Sequence, residues 1–179
     1  MAIFFKTKKK ISELDFTSTQ LILLVATRVL IGWHFLYEGL SKITNPNWSS
    51  YIYLLDSKGP FEFFFVFLGS SPALVSIIDF LNIYGLTLIG IGLIAGLFTR
   101  ASLISGMALL VFYYLSHPPL ALLSYSMPSE GSYLIVNKTL IELFSMAVLL
   151  VFPTWHRIGI DRFLKHKLIN HRIDHGEEG

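Results

Sequence analysis

Four residues in the apolar stretch near the N-terminus could bind an anion or move protons: Arg28, His34, Glu38 and Lys42. At about 100° per residue they fall within an arc of roughly 120°, so they share one face of a helix. Glu38 and Lys42 are spaced i,i+4 in the order that favours an ion pair. A charged side chain inside a bilayer costs roughly 2.5–3.5 kcal/mol on insertion scales, so this face is a candidate functional site.

Further polar residues lie in the later apolar stretches of the chain. Asn137, Lys138 and Glu142 open the last stretch, and Lys138 and Glu142 are again spaced i,i+4. Asp79 and Asn82 lie near the start of the second stretch. Together with the first face, these residues predict a polar network between helices.

A purely structural explanation competes with this hypothesis. Polar side chains near helix ends often reach the membrane interface, and buried ion pairs can simply fix helix register. For Lys42 and Asp79 the two explanations are balanced. For four deeper residues we favour a functional site, because they cannot reach the interface easily: Arg28, His34, Glu38 and Glu142.

The composition predicts an all-α integral membrane protein. Of its 179 residues, 53% are hydrophobic and only 15% are charged, and the mean hydropathy is +0.60. A helix needs about 20 apolar residues to cross the hydrocarbon core. Four stretches predict a four-transmembrane-helix bundle: 21–43, 75–98, 101–115 and 133–152.

The connection 45–72 is rich in aromatic residues. Its segment 61–68 is too short to span a bilayer, so an interfacial or re-entrant position is predicted. In the second predicted span, Gly85, Gly92 and Gly96 lie within about 40° of one another, which predicts close helix packing on that face.

The chain divides into three parts: a basic N-terminal segment at 1–16, a membrane domain at 17–156, and a basic amphipathic helix with a tail at 157–179. The helix prediction rests on apolar residues that alternate at helical spacing with basic ones. The apolar residues are Ile160, Phe163, Leu164 and Leu168, and the basic residues are Arg162, Lys165 and Lys167.

The distribution of basic residues predicts the orientation. Ten of the 14 lysines and arginines lie in the N-terminal segment, at Arg100 and in the C-terminal tail. Four spans place all three on one side, which the positive-inside rule makes cytoplasmic. The polar residues then converge on the outer half of the inner membrane. Arg28 alone lies deeper, as the floor of the site, and 45–72 is its candidate roof.

The chain contains no cysteine. This excludes disulfides, iron–sulfur ligation and Cys-type zinc sites. No metal site is predicted, and for His34 and His117 a hydrogen-bonding role is favoured over haem ligation. A redox function would therefore need an organic cofactor or a partner. The net charge of +2 gives no reason to expect nucleic-acid binding.

Four motifs resemble the DoxX/DoxD family of membrane proteins. They are RVLIGWHFLYEGLSK at 28–42, NIYGLTLIGIGLIAGLFTR at 82–100, YYLSHPP at 113–119 and VNKTLIE at 136–142. The last two are similar to the DoxD branch, the membrane subunit of thiosulfate:quinone oxidoreductase. The resemblance implies a four-helix fold and the joining of two thiosulfate ions to tetrathionate, with two electrons passing to a membrane quinone.

The reaction that the resemblance implies gives roles to the polar residues. The cationic groups would bind the anion, and the carboxylates with the histidine would handle quinone protons. The predicted catalytic residues are His34, Glu38 and Glu142. The predicted substrate-binding residues are Arg28, Lys42, Asn82, Asn137 and Lys138. The expected partners are membrane lipids, a quinone, and a second subunit or another copy of the chain.

Two other functions are open. The chain could be a non-catalytic membrane component that binds lipid or quinone, or that scaffolds a larger complex. A small transporter is less favoured, because the polar residues gather at one side and there are no inverted repeats.

Overall fold

The computed structural model describes residues 16–120, 123–126 and 134–162. All regular elements in these ranges are α-helices, as the composition predicts. They are α1 (Ser18–Ile43), α2 (Tyr51–Leu55), α3 (Glu62–Ser70), α4 (Pro72–Ala95), α5 (Thr99–Ser116) and α6 (Lys138–Val151).

Among the described residues, α1, α4 and α5 are long and apolar enough to cross a membrane, with 26, 24 and 18 residues. Large apolar side chains face outward along them, as a lipid-facing surface requires. Examples are Leu30, Trp33, Phe80, Leu88 and Ile104. The prediction of a multi-pass membrane protein is confirmed.

The helix ends follow from capping groups. α1 begins with a capping box, in which Thr17 and Gln20 each bond the other's backbone. α6 begins at Lys138, later than the predicted 133, because the Asn137 side chain accepts the N–H of Leu140 at 2.9 Å. With 14 residues, α6 is about 21 Å long.

The closest helix pair is α1 with α4. A Cβ built on Gly90 would lie 2.7 Å from the backbone oxygen of Gly32 and would also overlap the backbone of Leu36. Gly39 faces the backbone of Thr87 just as closely. Small residues in both helices therefore let the two backbones touch.

Of the three glycines predicted to allow close packing, Gly92 and Gly96 do so and Gly85 does not. A Cβ on Gly85 would meet nothing within 4 Å. Gly92 lies against Ser102 of α5, and Gly96 lies against Gly159. Angular spacing identified residues on one face but could not show which neighbour each one meets.

The main core joins α1, α4, α5 and α6. Its fully buried side chains include Phe35, Leu93, Leu103 and Met146. A second, smaller core of Leu54, Phe65 and Val75 joins α2 and α3 to the start of α4. The helix α3 contains the predicted short aromatic segment, and its Phe63 side chain is 87% exposed.

The chain after α6 folds back on the turn between α4 and α5. Asp161 accepts the backbone N–H groups of Phe98 at 2.8 Å and Thr99 at 3.0 Å, and so caps α5. Its own N–H donates to the Gly96 carbonyl at 2.9 Å.

Two predicted parts of the chain lie outside the described residues. They are the basic segment 1–16, except for its last residue, and the amphipathic helix beyond residue 162.

Candidate functional site

An ion pair between α1 and α6 forms the centre of the polar cluster. His34 Nδ1 lies 2.7 Å from Glu142 Oε1, and the two side chains are 34% and 10% exposed. The residues are 108 positions apart in the chain, so only the packing of the helices brings them together. An imidazole can both donate and accept a proton, so a histidine bonded to a carboxylate is suited to passing a proton on.

A second ion pair lies one turn along α1. Lys42 Nζ donates to Glu38 Oε2 at 2.7 Å, as the i,i+4 spacing predicts. Lys42 also lies 5.3 Å from the centre of the Trp48 ring. Glu38 is 45% exposed, so this pair is the more accessible of the two.

Lys138 adds a positive charge to both pairs. It interacts electrostatically with His34 and with Glu38, although it belongs to α6. Asn137, beside it, uses its side-chain oxygen as the N-cap of α6. Asn137 therefore fixes the start of α6 and positions Lys138, its first residue.

Asn82 of α4 is linked to the cluster through Tyr113, which the sequence did not identify as a site residue. The Tyr113 hydroxyl of α5 donates a hydrogen bond to Asn82 Oδ1, and Tyr113 interacts electrostatically with Glu38. The Asn82 amide donates to the Ile78 carbonyl at 3.0 Å. The match at 113–119 was the one available signal, because a tyrosine in an apolar helix is otherwise unremarkable.

Arg28 does not join this cluster. It is 2% exposed, and its Nη1 donates to the Ile158 carbonyl at 3.0 Å and to the Thr154 hydroxyl at 3.3 Å. Ten residues separate it from Glu38, about 15 Å along the helix. Its guanidinium holds the segment after α6 against the bundle, so the geometry does not give it the predicted position at the floor of the site.

A second histidine lies at the end of α5. The His117 ring is stacked on Tyr53, with ring centres 4.0 Å apart, and the Tyr125 ring centre lies 4.6 Å from it at a tilt of 36°. Its Nε2 lies 4.0 Å from Asp56 Oδ2. Burial lowers the pKa of His117 and Lys58 lowers it further, while Asp56 opposes them. This group fastens the loop after α5 to the loop after α2.

The cluster contains the His34–Glu142 pair, which can pass a proton, and the Glu38–Lys42 pair. Lys138 adds a second lysine. The described residues contain no group of three or more side chains suited to holding a metal ion. The outward-facing Trp33, Tyr37 and Ile141 flank the cluster along α1 and α6, so an apolar molecule could approach it from the lipid.

The fold and this cluster define a class: a helical, multi-pass membrane protein with a cluster of charged and polar side chains where α1 meets α6. The family model of DoxX matches residues 23–118, which is more than half of the chain. The protein therefore belongs to the DoxX family. The match covers α1 to α5 and ends before α6, which supplies Lys138 and Glu142. No curated protein and no solved structure matches the chain.

Proposed function

We propose that this DoxX-family protein is the membrane subunit of a quinone-linked oxidoreductase whose substrate is a small sulfur anion such as thiosulfate. Two thiosulfate ions would form one S–S bond to give tetrathionate and release two electrons. The quinone would take up those two electrons and two protons to become a quinol. The observation that carries the proposal is the His34–Glu142 pair at 2.7 Å between α1 and α6.

The two ion pairs are suited to the proton side of this reaction. A quinone oxygen that gains electrons needs a proton donor within hydrogen-bond reach. His34 is one-third exposed and can present its second ring nitrogen, while Glu142 holds the first. Glu38, on the same face one turn away, can return protons to the surface.

The lysines are suited to the anion. Thiosulfate carries two negative charges, and charge-assisted hydrogen bonds from ammonium groups are strong in a partly desolvated site. Lys42 is 13% exposed and points back to Glu38, and Lys138 lies in electrostatic range of the same carboxylate. Electrons would pass directly between the two substrates or through a second subunit.

The proposal includes a four-span topology in the inner membrane with both termini in the cytoplasm. α6 supports it, because Met146 and Leu149 belong to the same core as the three longer helices. The chain has no cysteine, so single cysteines can report accessibility without background. Ser126→Cys and His156→Cys should react with an impermeant reagent from opposite sides. Labelling of both from one side would contradict a spanning α6.

We also place α3 at the membrane interface. Its phenylalanines Phe63, Phe64 and Phe67 are exposed, and aromatic side chains favour the head-group level. Nine residues cannot cross the bilayer, so α3 would lie along the surface. A spin label attached to Phe63→Cys, in a chain without other cysteines, would measure its depth by its accessibility to lipid-soluble and water-soluble relaxation agents.

The direct test is thiosulfate-dependent quinone reduction by the purified protein in lipid. Glu142→Gln and Lys138→Met should each lower the rate at least about tenfold, as expected when a proton donor or a charge contact is lost. Arg100→Gln, exposed at the α4–α5 turn, is the matched control and should keep full rate. Stable binding of lipid or quinone without turnover would instead favour the non-catalytic function.

A further inference from the structure

A cleft away from the ion pairs lies where α2 and α3 meet the start of α4. Its volume is about 440 Å³. Asp79 and Ser76 line it from α4, Ser70 from the end of α3, and Tyr51 from α2. The proposed reaction uses none of these side chains.

Asp79 gives the cleft a negative charge. Its Oδ1 accepts the backbone N–H of Ser50 at 2.7 Å, which fixes the carboxylate in place. In the part of the chain that the structure describes, no salt bridge forms at this carboxylate. A fixed anion in a partly apolar cleft attracts a cationic hydrogen-bond donor.

The surroundings of the cleft are apolar and aromatic. Phe64 and Phe67 of α3 are exposed, and so are Ile77 and Phe80, which follow the lining residues Ser76 and Asp79 in α4. The exposed apolar face of α4 continues from there along the helix. An occupant that matches both features has a small cationic head and long apolar chains.

The junction of the two helices also suits a zwitterion. The C-terminus of α3 and the N-terminus of α4 meet at Ser71, so the partly negative end of one helix dipole and the partly positive end of the other lie at the same place. Ser71 provides no side-chain cap to α4. An ammonium group and the phosphate beside it would find opposite partial charges.

We propose that this cleft binds the head group of an aminophospholipid, with the primary ammonium on Asp79 and the acyl chains along α4. A primary ammonium has three N–H donors, whereas a choline head group has none. The site should therefore prefer phosphatidylethanolamine to phosphatidylcholine and to the anionic phosphatidylglycerol.

Native mass spectrometry of the full chain with these three lipids, matched in acyl chains, tests the proposal. We expect ethanolamine lipid to bind at least about tenfold more tightly than the other two, the factor that one charge-assisted hydrogen bond supplies. Asp79→Asn keeps an acceptor for the Ser50 N–H but removes the charge, so it should abolish the preference. Ser76→Leu, which fills the cleft, should also abolish it.

Glu62→Gln is the matched control, because Glu62 is an exposed carboxylate on α3 that does not line the cleft. It should bind ethanolamine lipid as the wild type does. Equal binding of all three lipids, or a preference that survives Asp79→Asn, would overturn the proposal. Displacement of the lipid by an equal concentration of free ethanolamine would also overturn it, by making a soluble amine the ligand.

Discussion

At the scale of single residues, the two ion pairs differ in how deeply they are buried. Glu142 is 10% exposed, whereas Glu38 is 45% exposed. A buried carboxylate is largely desolvated, so losing its hydrogen-bond partner costs more free energy than it does for an exposed carboxylate. An exposed i,i+4 pair on a helix contributes only a few tenths of a kcal/mol.

This difference predicts unequal losses of stability. Glu142→Gln should lower the free energy of unfolding by about 1–2 kcal/mol, because a charge-assisted hydrogen bond becomes a neutral one. Glu38→Gln should lower it by about 0.5 kcal/mol or less. Unfolding in mixed micelles measures both. Equal losses, or a larger loss for Glu38→Gln, would contradict the deeper burial of Glu142.

The sequence could predict one pair but not the other. Glu38 and Lys42 are neighbours on any α-helix, so their spacing alone predicts the bond. His34 and Glu142 meet only because α1 packs beside α6, and no local rule contains that contact. For the same reason the sequence misplaced Arg28, whose partners lie in the segment after α6.

At the scale of elements, glycine sets the distance between α1 and α4. Gly90→Ala should lower stability by about 1–3 kcal/mol, since the added methyl group meets backbone that cannot rotate away. Gly85→Ala on the same helix is the control. It should be neutral or stabilising by up to about 1 kcal/mol, because alanine is the better helix former and the space is open.

Unfolding of the two variants under one condition measures the contrast. A Gly90→Ala protein as stable as Gly85→Ala would contradict the close approach of the helices.

The apolar stretches of the sequence located the long helices to within a few residues, but side-chain caps set their ends. Asn137 and Asp161 therefore moved the boundaries that hydropathy alone predicted.

The loop held by His117 should respond to pH. Burial lowers the pKa of His117 in the folded state, so the unfolded chain binds the proton first. The stability that the neutral ring contributes is complete above its unfolded pKa, about 6.5, and is lost as the pH falls through and below that value. Asp56 opposes this loss, and Lys58 strengthens it.

Between about pH 7.5 and about pH 5.5 the wild type should therefore lose more stability than His117→Gln, which cannot titrate. Unfolding of both proteins at the two pH values measures the difference. Parallel losses would mean that the ring is not held neutral between Tyr53 and Tyr125. A gain of stability in acid would mean that the Asp56 pairing dominates.

At the scale of the whole molecule, polar groups concentrate at two ends of the bundle. The ion pairs, the His117 group and the Asp79 cleft lie toward the end where α2 and α3 cover the helices. Arg28 and Asp161 hold the opposite end, where α4 turns into α5. Helix direction and hydropathy predicted that polar residues gather toward one end with Arg28 deeper, but they made Arg28 the floor of that site and gave no signal for its group with Asp161.

The central claim is that the ion-pair cluster between α1 and α6 is the site where a quinone is reduced. Photolabelling with an azidoquinone in lipid nanodiscs, followed by peptide mapping, tests it most directly. We predict that the label falls on the turns around His34 and Glu142, that unlabelled quinone competes for it, and that Glu142→Gln reduces it. Label that is confined to other helices, or that excess quinone does not displace, would contradict the claim.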